Sequence, residues 1–210
     1  RYSNKIIHYD KITDKIKEQA KVEEEPAPMP MISPVDDIRT LALFGDVDEE
    51  KSSDLCMGFL MLTDFSQKEP PYSPITFYIS TYGGSADEMF SIYDMMGVTK
   101  SKCEIETIGL GKVMSAGTLL LAAGTKGKRK IGRHCRVMIH AVAAGSSGEL
   151  HDIENEIKSI KHIQELYINA LSKETHMTKR TIQKLLDRKV NVYLTAEEAV
   201  EYGIADEIIN

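Results

Sequence analysis

Short apolar runs rich in β-branched and aromatic residues alternate along this chain with stretches of helical periodicity, and that alternation limits the possible folds more than any other feature. The strand-like runs are LALFG at 41–45, ITFYIS at 75–80, CEIETIG at 103–109 and CRVMI at 135–139. Between the first two, Asp48 to about Thr63 starts acidic and carries Leu55, Cys56, Phe59, Leu60 and Leu62. Between the next two, Ser85 to Val98 spaces Met89, Ile92, Tyr93 and Met96 as one helical face. A strand that returns parallel to its predecessor needs a crossover of about a dozen residues, which helices of this length supply. The expected class is α/β with much parallel sheet.

Four of the seven prolines fall between Pro26 and Pro34, directly after the acidic run Glu23 to Glu25. That composition reads as a linker, so residues 1–35 are expected to form a flexible charged arm and residues 36–210 the folded domain. Near the other end, Gly148 to Ser172 predicts a long helix with Ile153, Ile157, Ile160, Ile163, Leu166, Tyr167 and Leu171 as an apolar stripe. Such a helix can cover the sheet or project onto a neighbouring subunit.

A net charge of −6 and a pI near 5.6 disfavour coating of nucleic acid or of an anionic membrane. The longest apolar stretch, Val113 to Ala123, is too short and too interrupted to span a bilayer. The opening RYSNKIIHYDKITDK has no secretory pattern, and Cys56, Cys103 and Cys135 lack CxxC spacing, so reduced, packed thiols in a cytoplasmic setting are expected. No metal site is expected from ligands so scattered. The basic run TKGKRKIGR at 125–133 has no Ser or Thr after its G-K, so it is no nucleotide loop; a solvated turn is expected there.

Three segments could carry chemistry. In GLGKVMSAGTLLLAAG, Ser115 stands in an apolar helical run. It reads either as an ordinary N-cap or as a nucleophile beside first-turn amides that can hold an oxyanion. With Val113 two residues before it, it is not the GxSxG elbow. In TYGGSADE at 81–88, the glycine pair is either a tight turn or a place where the Gly84 amide joins that of Ala116 as an oxyanion donor. His140 ends the strand-like CRVMIH, at a sheet end where α/β active sites collect, and a neutral imidazole there could take a serine proton. The other histidines, His8, His134, His151, His162 and His176, read as surface residues.

In series, FGDVDE, YISTYGGSADEMFSIYDMM, GKVMSAGTLLLAAGTKGKR, RVMIHAV, GELHDIENEI and LTAEEAVEYGIADEII resemble the ClpP family, the proteolytic subunits of ATP-dependent Clp peptidases, from about Arg39 to Ile209. The resemblance implies a crotonase-like spiral fold with a handle at about 141–174, assembled as stacked heptameric rings. It implies Ser115 as nucleophile, His140 as base and the amides of Gly84 and Ala116 as oxyanion donors. An unfolded polypeptide would lie extended beside a strand formed by Gly145, Ser146, Ser147 and Gly148. It implies no cofactor and a separate AAA+ ATPase as partner.

The family's catalytic aspartate position holds Asn191, which can accept a hydrogen bond from the imidazole but brings no charge; Asp187, four residues earlier, is the alternative third member. Two other functions stay open at this point. One is a weakly active or inactive ClpR-like ring subunit, the other an acyl-CoA enzyme of the crotonase type.

Overall fold

A computed structural model describes residues 38–64, 72–145, 147–188 and 190–210, and its compact unit runs from Arg39 to Asn210. The arm expected over residues 1–35 lies outside the described residues. The first strand, β1 (Thr40–Phe44), leads through α1 (Glu49–Asp64) to β2 (Ile75–Thr81), and α2 (Ala86–Lys100) leads on to β3 (Ile105–Met114). Then come α3 (Ala116–Ala122), β4 (Arg129–Gly132), β5 (Arg136–Ile139) and the long α4 (Leu150–Glu174). The chain closes with α5 (Lys179–Leu186), β6 (Val192–Leu194), α6 (Ala196–Glu201) and β7 (Glu207–Ile209).

The sheet runs β1-β2-β3-β4-β7 with every neighbour parallel, as the alternating strand and helix patterns predict. Strand β2 shows why: Ile75, Phe77, Ile79 and Thr81 alternate inward and are buried. Phe77 meets Phe59 of α1 edge to face, with ring centroids 5.4 Å apart. Helix α2 starts where Ser85 accepts a hydrogen bond from the Glu88 amide, and α6 opens with a full capping box of Thr195 and Glu198.

Strand β3 changes partners partway along. Thr107 to Gly109 pair with β4, whereas Lys112 to Met114 pair with β5, and Gly111 between them has φ +65°. Only glycine takes that conformation without strain, so the chain bends there and its second half joins a β3-β5-β6 extension in which β6 is antiparallel. GLGKVM is therefore strand as far as Met114, and the apolar helical run expected around Ser115 is helix from Ala116 on.

The basic run at 125–133 is not the solvated turn its composition suggests, because residues 129–132 form β4. Arg129 is 1% exposed. Its guanidinium donates to the carbonyls of Ala122, Glu174 and Gly203 and to the Asp206 carboxylate at 2.5 and 2.8 Å, so each of its three nitrogens is hydrogen-bonded. A hydrogen-bonded, charge-paired arginine can be buried where a bare one could not. It ties the ends of α3 and α4 to the turn before β7. Burial pushes the Asp206 carboxyl up, but the Arg129 hydrogen bonds and charge outweigh it and the net direction is down. This pair therefore stabilises the fold at neutral pH, and the contribution is lost as pH falls through the lowered Asp206 value.

Helix α4 has 25 residues, about 37 Å at the helical rise. Only its later part is buried, through Tyr167, Ile168, Ala170 and Leu171, and it packs there on α3. Leu150 and Ile157 in the first half are 68% and 45% exposed. The later half of α4 thus packs on α3 and α5, and the apolar residues of its first half stay exposed. Gly145, Ser147 and Gly148 lie outside the sheet and are exposed, and Ser146 lies outside the described residues. An extended segment becomes a strand only when another backbone satisfies it, and among the described residues no strand pairs with Gly145, Ser147 or Gly148.

Candidate active site

Residue Ser115 sits at the joint between β3 and α3, with φ +54° and ψ −118°. Among the described residues it is the one non-glycine with positive φ. Such a conformation costs of order 1–3 kcal/mol and persists only where surrounding contacts enforce it. Here the Ser115 amide donates to the Met138 carbonyl at 2.8 Å, and the buried Thr118 hydroxyl donates to the same carbonyl at 3.0 Å. Gly83 makes room: a Cβ on it would stand 2.6 Å from the Ser115 Cβ.

That twist settles what the hydroxyl does. Although Ser115 is at the N-cap position of α3, its side chain makes no capping bond. Instead Ser115 Oγ lies 2.8 Å from His140 Nε2, within hydrogen-bond and proton-transfer range. His140 follows β5 directly, and the β3-β5 pairing of Met114 with Met138 brings the two residues together from 25 positions apart.

The glycine pair is built around Val47. Its amide donates to Gly83 O and its carbonyl accepts from the Ser85 amide, both at 2.8 Å. In a parallel bridge of this kind the residue between the two bonds, Gly84, turns its own N–H to the other side. Gly83 is fixed further by its amide bond to the buried Thr81 hydroxyl, 2.9 Å. Gly84 lines one cavity with Ser115, Ala116 and His140, and the Ala116 amide belongs to the unpaired first turn of α3. Among the described residues, neither N–H has an acceptor outside its own element. The arrangement can accept a proton from a hydroxyl and hold negative charge on an adjacent oxygen.

Gly84 has φ +153°, and a Cβ there would stand 2.2 Å from the Val47 carbonyl oxygen. Gly84→Ala is therefore expected to turn the amide away and lower kcat about 100-fold, the usual scale for losing one oxyanion donor. Steady-state kinetics on a short peptide checks this; an unchanged kcat would remove Gly84 from the site.

The two candidates for a third member differ in placement. Ile139 pairs with Val192 across the antiparallel β5-β6 ladder, and one further step in that register sets His140 opposite Asn191. Residues so opposed have Cβ atoms about 4.5–5.5 Å apart. Asp187 is instead the C-cap of α5, exposed, and its carboxylate accepts from Gln183 Nε2 at 2.8 Å. Among the described residues no hydrogen bond joins His140 to either one. His134, His151, His162 and His176 are exposed, and His8 lies outside the described residues.

Sequence reasoning missed three supports of this site: Gly83, Thr81 and Thr118. The only available signal was their closeness to Gly84 and Ser115 in the chain, since two are hydroxyls buried by tertiary packing. It also missed Tyr167 as a cavity residue and counted it only in the helical stripe.

Comparison with known proteins bears on the whole of this arrangement. The family model described as Clp protease matches residues 25–210. An ATP-dependent Clp protease proteolytic subunit 1 from Corynebacterium jeikeium is 35% identical over 171 residues, 81% of this chain and 87% of that protein. A proteolytic subunit 2 from Nocardia farcinica is 36% identical over 172 residues, covering 82% and 81%. Agreement of this extent, over most of the chain and of each relative, is more than a shared α/β sheet would give: the chain belongs to the Clp protease family and is a homologue of its serine-type proteolytic subunits, the ClpP proteins.

Proposed function

We propose that this chain is an active serine endopeptidase subunit that hydrolyses unfolded polypeptide inside an oligomeric chamber. The observation that carries the reading is the 2.8 Å contact between Ser115 Oγ and His140 Nε2. His140 takes the hydroxyl proton as Ser115 attacks the scissile carbonyl. The amides of Gly84 and Ala116 hold the resulting oxyanion, and His140 returns the proton to the leaving amine. Water then hydrolyses the acyl-enzyme by the same route in reverse. Asn191 serves as the orienting acceptor for the second imidazole nitrogen. Gly145 to Gly148 takes the substrate backbone as a strand partner; among the described residues none of this segment is paired in the sheet.

Assembly into stacked heptameric rings accounts for the exposed apolar first half of α4, which needs a cover of its own kind. The named relatives are subunits of ATP-dependent proteases, which supports a separate AAA+ ATPase as the source of unfolding work. The cavity beside Ser115, about 190 Å³, is smaller than the roughly 300 Å³ at which sites for small organic ligands begin, which disfavours an acyl-CoA enzyme.

One observation favours a second reading. Asn191 stands at the place of a carboxylate, as in a ring subunit that contributes structure but little turnover. Incubating the assembled protein with an unstructured polypeptide decides between them. Short peptides whose release stops on fluorophosphonate treatment are expected; an intact polypeptide after prolonged incubation would favour the structural subunit.

A further inference from the structure

Tyr167 lies on the buried half of α4, 52 positions beyond Ser115, yet its hydroxyl donates to the Ser115 carbonyl oxygen at 3.4 Å, a long bond of its kind. The side chain is 6% exposed, and burial pushes its phenol up, so it stays a neutral donor. Its ring lines the cavity beside Ser115 together with Ala86 and Met89 of α2, Val142 and Ala143 beyond β5, and Ile163 one helical turn earlier.

Three properties of that cavity bear on what it accepts. Its volume of about 190 Å³ suits one side chain rather than a ligand. Among the described residues no lysine, arginine or carboxylate lines it, so a charged group entering would lose its water without gaining a counter-charge. The one polar atom that α4 brings to it, the Tyr167 hydroxyl, is turned to the Ser115 backbone, which leaves the ring as the presented surface. Met89 is unbranched and able to repack, and Ile163 is only half-buried at the rim. Tyr167 is held at both ends, by the packed helix and by its hydroxyl, and cannot swing aside.

We propose that Tyr167 is the specificity-determining residue of this site: its ring forms the floor of the pocket for the side chain on the acyl side of the scissile bond and limits that side chain to aliphatic groups such as leucine or methionine. The assignment rests on Ser115 being the nucleophile. Phenylalanine, tyrosine and tryptophan at that position meet the ring before the scissile carbonyl reaches the Gly84 and Ala116 amides.

The test uses two otherwise identical peptides, one with leucine and one with phenylalanine before the cleaved bond, given to the assembled full-length protein. The ratio of their kcat/KM values does not depend on the fraction of folded enzyme, so a partly folded variant still reports. In Tyr167→Leu, which shortens the floor and keeps a good helix former, and in Tyr167→Ala, the phenylalanine-to-leucine ratio is expected to rise about tenfold or more, the scale of a misfit in an apolar pocket. Tyr167→Phe keeps the floor and is expected to leave that ratio within about threefold while kcat falls for both peptides through the lost contact to Ser115. An unchanged ratio in Tyr167→Leu overturns the proposal. Hydrolysis undiminished in Ser115→Ala overturns the nucleophile assignment instead, so the two failures are told apart.

Discussion

Ser115→Ala is expected to lower peptide turnover only about 100-fold below that of the native protein, but about 10⁶-fold when both are measured with Asn191→Asp. The two figures come from one argument. In a serine-histidine-aspartate unit, removing the serine costs roughly 10⁶ in kcat and removing the aspartate alone roughly 10⁴, and the losses overlap because the residues act together. The native chain already holds Asn191 where the register sets a residue opposite His140. Most of the orienting and charge-stabilising effect is then absent before Ser115 is touched, and what remains to be lost is the ratio of the two figures. Steady-state kinetics on a short peptide, with the four combinations of residues 115 and 191, measures both drops. Equal drops in the two backgrounds would mean that residue 191 does not act through the pair.

The complementary gain is the second large effect. Asn191→Asp is expected to raise kcat by about 10⁴, with KM little changed, because the carboxylate stabilises the imidazolium that forms in the transition state and has less to do in the ground state. The position suits the change: Asn191 is exposed and directly precedes β6, so a carboxylate there keeps access to water and carries little desolvation cost. If Asn191→Asp leaves peptide hydrolysis unchanged or lower, another group already orients His140. Asp187 would be the first to examine, since its present partner Gln183 is a neutral, exposed contact that a loop rearrangement can release.

The parts of the fold that were legible share a physical cause. Strands β1, β2 and β5 announce themselves as short runs rich in apolar, β-branched and aromatic residues, and α1 and α2 because each buries one face at helical spacing. Strand β4 was hidden by charge: Arg129 and Lys130 look solvated, yet Arg129 points inward onto Asp206 and three carbonyls, and Lys130 pairs with Glu106 across the sheet. Strands β6 and β7 have three residues each, too few for a periodic pattern. The end of β3 runs beyond the strand-like segment at 103–109 because GLGKVM has no period of its own; its pairing with β5 makes it a strand.

The candidate site was legible through motifs in series, and less so through any single residue. Nothing in SAG indicates that Ser115 has positive φ, since that conformation comes from Met138, Thr118 and the absent side chain of Gly83. Likewise the placing of Asn191 opposite His140 follows from a ladder only three residue pairs long, which the sequence does not announce.

Everything here turns on Ser115 being made nucleophilic by His140. Intact-mass and peptide mapping after exposure of the assembled protein to a fluorophosphonate tests that directly. A single adduct on the Ser115 hydroxyl in the native protein, and none in His140→Ala over the same time, is the predicted result; an adduct on another residue, or one that forms on Ser115 equally fast without the imidazole, would contradict it.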